Sequence, residues 1–286
     1  MQDLHIHMFP GRMDTPDVFK QKTMAAGVTG GNVLGMYPET FGKEDGEDQR
    51  WGARLDAVLD FCGGAPGFQP FFWIDPLAED ALEQVRCATE KGVAGFKVIC
   101  NYFYPKEGLK TYQAIAETGL PLMFHSGVLY NEQPSSGYNQ PMSFEFLMDV
   151  KGLRFSLAHI SWPWCAELVS LFGKLNYLDE CAPEGRSQMY YDITPGTPPI
   201  FREEALRRIY MTGLRVKHRV LWGTDCIAND YNVEYARFWA ELDRKIYDGI
   251  SADPNRYRVA GQDEYDYSNI WELATDGNFA AFYGKK

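Results

Sequence analysis

The sequence predicts an α/β fold, a closed (β/α)8 barrel of the TIM type, and three observations lead there. Short, nearly unbroken apolar runs alternate with amphipathic stretches along the chain, as expected of strands buried on both faces with helices between them. There are eight such runs, and their ends recur about every 31 residues between His7 and Asp225, close to one βαβ unit of roughly 30 residues. The rival, a doubly wound open sheet, is usually marked by a glycine-rich phosphate turn after its first strand. Here Met8-Phe9-Pro10-Gly11 follows instead.

The expected strands are Asp3–His7, Asn32–Tyr37, Gln69–Ile74, Gly95–Cys100, Pro121–His125, Arg154–Ile160, Met189–Ile193 and Arg219–Thr224. Between them, Trp51–Phe61 places Leu55, Val58, Leu59 and Phe61 near one helical stripe, and Gly63-Gly64 ends it. Asp80–Thr89, Gly108–Thr118 and Ser143–Val150 show the same pattern and stop at Gly92, Gly119 and Gly152. Pro163 precedes a further helix at Trp164–Phe172, and Gly213 follows one at Glu203–Tyr210. Asn176–Gln188 and Ser251–Ser268 do not fit the alternation and read as loop insertions, either covering the active mouth or decorating the surface. No linker or composition shift divides residues 1–286, so a single domain is expected.

Composition narrows the function. The chain has 286 residues, is 45% hydrophobic and 23% charged, and carries a formal charge of −11. Such a chain builds a large core without staples, and disorder is excluded. An acidic surface gains nothing from nucleic acid or an anionic membrane, so the expected partner is a small-molecule substrate. No apolar run reaches the roughly 18 residues of a membrane span, and the start, Met-Gln-Asp-Leu-His-Ile-His, has no apolar signal region. The six cysteines show no CxxC spacing and read as free thiols. A cytoplasmic enzyme is the expectation.

The chemistry concentrates at strand ends. Asp3, His5 and His7 alternate along the first strand, which would put all three on one face. Alone, such a His-x-His pair is a weak signal. However, His125 ends the fifth expected strand, His159 lies near the end of the sixth, Asp225 follows the eighth, and Lys97 lies inside the fourth. Strand ends of a barrel converge on one mouth. Buried Asp and Lys are costly without partners, and one shared metal accounts for all these placements together. His218, at the other end of the eighth strand, reads as a surface residue, and Cys100 and Cys226 as packing residues.

These residues resemble the amidohydrolase superfamily. The motifs are Asp3-Leu-His-Ile-His-Met-Phe-Pro, Gly95-Phe-Lys-Val, Phe124-His-Ser-Gly, Ala158-His-Ile-Ser-Trp-Pro, Tyr191-Asp-Ile-Thr and Leu221-Trp-Gly-Thr-Asp, with Asp276-Gly-Asn-Phe-Ala-Ala-Phe-Tyr-Gly similar to the closing helix. The nearest branch is the amidohydrolase-related group that includes aminocarboxymuconate-semialdehyde decarboxylase. The resemblance implies that His5, His7, His125 and Asp225 are metal ligands, with Asp225 also a proton acceptor. It implies that His159 either binds a second metal or assists proton transfer, and that Lys97 bridges two metals only if carbamylated. An ordinary Lys97 and one ion are the favoured reading. Members are often oligomers, so a homo-oligomer is left open.

Imidazole and carboxylate suit zinc among divalent ions, and three or four protein ligands leave a position for water. A bound zinc lowers the pKa of that water from about 15.7 to about 7. The expected reaction is hydrolysis of an amide, lactone or related carbonyl, with Asp225 and His159 moving protons. A non-oxidative decarboxylase or other lyase on the same site is the alternative, and a non-catalytic, metal-retaining binding barrel is the third. Tyr37, Trp73, Asn101, Tyr102, Tyr130 and Trp162 lie at or past strand ends, where they could contact substrate or simply pack the rim. Arg186 could pair with a substrate carboxylate or be a solvated loop residue.

Overall fold

The computed structural model describes residues 1–43, 48–181, 185–253 and 266–284. Nine parallel strands form one sheet in the order β8-β7-β6-β5-β4-β3-β2-β1-β9. They are β1 Gln2–His7, β2 Gly30–Leu34, β3 Phe68–Trp73, β4 Gly95–Val98, β5 Leu122–Phe124, β6 Arg154–Leu157, β7 Gln188–Asp192, β8 Val220–Leu221 and β9 Cys226–Ile227. β8 falls within the eighth expected strand, Arg219–Thr224, and β9 lies just beyond it. β8 pairs with β7 and β9 with β1. Between them the Leu4 N–H donates to the Trp222 carbonyl, and the Asp225 N–H to the His5 carbonyl. The sheet therefore closes on itself, an α/β barrel. Strand eight breaks where Asp225 takes a left-handed conformation, φ 61°, which a non-glycine residue adopts only under constraint.

Helices α1 Pro16–Ala25, α2 Trp51–Gly64, α3 Ala81–Lys91, α4 Leu109–Thr118, α5 Cys165–Cys181 and α6 Pro199–Met211 connect successive strands, with α7 Val233–Ala252 after β9. α1 and α7 are additions to the sequence-based expectation. α1 carries its own start signals: the Thr15 side chain accepts from the Val18 N–H, and Pro16 fills the first turn. The expected helix at Ser143–Val150 is a 3-10 segment over Pro141–Asp149. Part of the first expected insertion is helix, since α5 continues to Cys181, and it lies between α5 and β7, at the end of the barrel away from the strand C-termini. It therefore cannot cover the mouth. Most of the second, 254–265, lies outside the described residues.

The alternation expected of Asp3, His5 and His7 is broken by a register shift between Asp3 and Ile6. Leu4 packs with Leu34, Phe71, Met123, Tyr190 and Leu221 in the lower barrel interior. Asp3 turns instead to Thr224 and Tyr231, its carboxylate accepting from the Thr224 N–H and hydroxyl and the Tyr231 hydroxyl. Such a bulge re-aims side chains at the cost of one irregular pair. It separates Asp3 from the histidines while leaving His5 and His7 together. The C-terminal motif plugs the same interior from below, with Phe279 and Phe282 of the short helix Phe279–Phe282 joining Leu4 and Phe71.

Candidate metal centre and active site

His5 and His7 leave the end of β1 with their Nε2 atoms 3.0 Å apart. His5 Nδ1 lies 2.8 Å from Asp192 Oδ2, both side chains fully buried. The anionic carboxylate accepts, so His5 carries its proton on Nδ1 and offers a lone pair at Nε2. Asp225 Oδ1 stands 3.6 Å from His5 Nε2 and 3.5 Å from His7 Nε2. His159 is pinned by a hydrogen bond from Nδ1 to the Pro195 carbonyl, 2.9 Å, which likewise leaves Nε2 without a proton in the neutral ring. His125 stands against it, ring centroids 4.9 Å apart. Lys97 Nζ lies 3.3 Å from His5 Nε2 at the buried floor.

Two of these placements rest on unusual backbone. His159, Ile160 and Ser161 have φ of 62°, 50° and 51°, three consecutive left-handed residues where an L-chain pays about 1–2 kcal/mol each. The turn lifts His159 out of the line of β6 toward the centre. Gly196 makes room for it, because a Cβ there would come within 2.6 Å of the His159 Cβ.

The residues fit a cation. Two nitrogens held by one tetrahedral zinc at about 2.0–2.1 Å lie roughly 3.4 Å apart. The His5–His7–Asp225 triangle, with edges of 3.0, 3.5 and 3.6 Å, has that scale. His5, His159 and Asp225 also bring one ligand atom each within 4.8 Å of one another. His125 Nε2 is buried without a hydrogen-bond partner, a state that is costly for a polar atom unless a ligand meets it. Burial lowers the pKa of His5, His7 and His125 well below the ordinary histidine value and brings His159 down to about 4. The rings are neutral, the form that binds metals. Burial pushes Asp225 up and Lys97 down, each opposed by the other's charge.

Asp225 forms the floor of a cavity of about 280 Å3 at the strand C-terminal end. Of the residues expected at substrate, Trp73, Tyr130 and Trp162 line it beside His7, His125, His159 and Asp225. Four others do not line it. Tyr37 packs behind the wall against Phe9, Phe41 and Trp73. Asn101 donates to the Thr40 carbonyl, and Tyr102 donates to the Asp75 carboxylate. Arg186 stands by Asp149, 3.5 Å away, in the α5–β7 connection at the far end of the barrel. Sequence reasoning gave no role to Asp192, although an acid ending strand seven mirrors Asp225 after strand eight. It also passed over Phe9, Phe41, Ile99 and Leu129, which complete the pocket wall.

A barrel whose strand ends gather four imidazoles, two carboxylates and a lysine defines a class: metal-dependent enzymes that work at the barrel mouth. Residues 2–260 match the amidohydrolase family, and the chain belongs to it. It is an enzyme of the metal-dependent hydrolase type. Solved structures share the fold at low identity. A Lactobacillus casei protein provisionally assigned as a metal-dependent hydrolase is 17% identical with a TM-score of 0.60, over 95% of this chain and 78% of that one. A Pseudomonas putida protein provisionally assigned as a 2-pyrone-4,6-dicarboxylic acid hydrolase is 16% identical, TM-score 0.58, over 99% and 97%. Dihydroorotase from Campylobacter jejuni is 15% identical, TM-score 0.56, over 100% and 83%. No curated protein sequence matches the chain. No helix among the described residues is long and apolar enough to cross a membrane.

Proposed function

We propose that the protein hydrolyses a small carbonyl compound, an amide, lactone or related ester, using one divalent ion, with zinc the expected metal. The carrying observation is the His5–His7–Asp225 triangle, two imidazole nitrogens and a carboxylate oxygen all within 3.6 Å. These residues would hold the ion, with His125 and His159 beside it. When bound, such an ion supplies Lewis acidity and acidified water. The protein's own groups do the rest. Asp225, a third exposed at the pocket floor, accepts the proton that water gives up. His159, oriented by the Pro195 carbonyl, presents Nε2 to carry that proton to the leaving group. Asp192 holds the His5 ring so that its lone pair cannot rotate away. Lys97 remains an unmodified lysine whose charge is balanced by Asp192 and Asp225.

The two hydrolase relatives, one for a pyrone lactone and one for dihydroorotate, support a cyclic or acyl carbonyl as the reacting group. The alternative, decarboxylation, uses the same ligands. Elemental analysis, intact mass and turnover in heavy-oxygen water test the reading together. The expected result is one divalent ion per chain, no carbamate mass on Lys97, loss of activity on chelation with recovery on reloading, and heavy oxygen in the product. Carbon dioxide release without oxygen incorporation would replace the hydrolase by the lyase, and two ions with a carbamate would overturn the one-ion site.

A further inference from the structure

The pocket walls carry an inference about the substrate that rests on the hydrolase reading above. Phe9, Phe41, Trp73 and Ile99 follow or end the first four strands, and Leu129 and Trp162 come from the loops after β5 and β6. Phe41 meets Trp73 at 4.9 Å between ring centroids, and Trp162 stacks on Phe201 at 4.8 Å. Of the polar groups of the lining, His7, His125, His159 and Asp225 gather at the floor, and Tyr130 stands exposed at the rim. Ser126 is engaged, its hydroxyl lying 3.0 Å from the Asn139 carbonyl and 2.7 Å from the Ser161 hydroxyl. Among the described residues no Lys or Arg lines the cavity. Arg54 does not line it; its Nε donates to the Gln49 carbonyl and its Nη1 to the carbonyls of Met36 and Trp73.

We propose that the enzyme acts on a flat, aromatic carbonyl compound that carries no charge away from its reacting group, an aryl lactone or aryl ester being the class that fits. An arene recovers the burial these walls offer and stacks on Trp73 or Trp162. A carboxylate on the substrate's far side would lose its water against aromatic rings and meet no cation among the described residues. In the reaction, water oxygen bonds to the carbonyl carbon, the bond between that carbon and the aryl oxygen breaks, one water proton passes to the freed phenolate oxygen, and the other leaves to solvent, so that the products are a carboxylate and a phenol.

Dihydrocoumarin and its ring-carboxylated analogue test this on the metal-loaded protein, with coumarin and coumarin carboxylate as calorimetric binding probes. The expected result is a kcat/KM at least about 100-fold higher for the neutral lactone, and coumarin binding more tightly than its carboxylate. Leu129→Arg, which brings a cation to the wall, is expected to narrow that ratio at least about 10-fold. A preference for the carboxylated lactone overturns the substrate class and leaves the hydrolase standing. Selective binding of coumarin with neither lactone turned over upholds the class and removes the hydrolase. Failure of coumarin to bind overturns the proposal.

Discussion

The imidazoles of β1 and those following β5 and β6 reach the same centre by different means. His5 sits on a strand and is held by a buried carboxylate, Asp192, while its own N–H and that of Thr224 are tied to Asp3. His159 sits past the end of its strand, in three left-handed residues, and is held by a neutral carbonyl. A carboxylate raises the basicity of the imidazole it holds and so favours metal binding. A backbone carbonyl likewise fixes the direction and tautomer of the ring, without adding a charge. The proposed roles, metal ligands for the first pair and proton transfer for His159, thus fall on differently supported rings.

Asp225 joins the two halves, and its loss is expected to be the largest effect. Asp225→Asn should lower turnover about 1000-fold or more and reduce bound metal, with the circular dichroism spectrum unchanged, because proton acceptor and ligand go together. Near-normal turnover would remove Asp225 from the mechanism. The next two variants separate the halves. Asp192→Asn should weaken metal affinity roughly 10–100-fold, read by competition with a chelator, and excess metal should restore much of the rate. Gly196→Ala should leave metal content intact and lower kcat by up to about 100-fold, since its Cβ would come within 2.6 Å of the His159 Cβ and displace the ring. If Gly196→Ala loses metal, or Asp192→Asn resists rescue, the division of labour fails.

The parts of this centre visible in the sequence are those set by strand order. Once eight runs are counted, His125, His159 and Asp225 fall at strand ends of one barrel mouth whatever the details of packing, because closure brings those ends together. The register of β1 was not visible, since an alternating pattern reads the same with or without a bulge. Asp3 accordingly belongs with Thr224 and Tyr231 rather than on the histidine face. Loop paths were the least legible. Tyr37 and Phe41 are four residues apart in one loop; only Phe41 lines the cavity, and no periodicity distinguishes them. Helix α7 was missed despite a strong apolar stripe through Ala236, Trp239, Asp243, Ile246, Tyr247 and Ile250. Asp243 interrupts that stripe, buried because it pairs with Arg202 at 2.7 Å.

The smallest predicted effect lies outside both halves. Asp75, just past β3, accepts hydrogen bonds from the Tyr102 hydroxyl at 2.8 and 2.9 Å, the Thr40 hydroxyl at 2.8 Å and the Leu77 N–H at 3.0 Å. It thereby ties together the loops after β2, β3 and β4, and Phe41 follows Thr40 directly. Tyr102→Phe removes one donor from this knot and leaves the other two. The expected cost is about 1 kcal/mol of stability, measured by denaturant unfolding. Metal affinity and kcat should hold, because nothing bonded to the imidazoles changes. KM should rise a few-fold as the Phe41 wall loosens. A fall in kcat with KM unchanged would show that this loop knot acts on the reacting centre and not on the wall, and the separation of floor from wall would have to be redrawn.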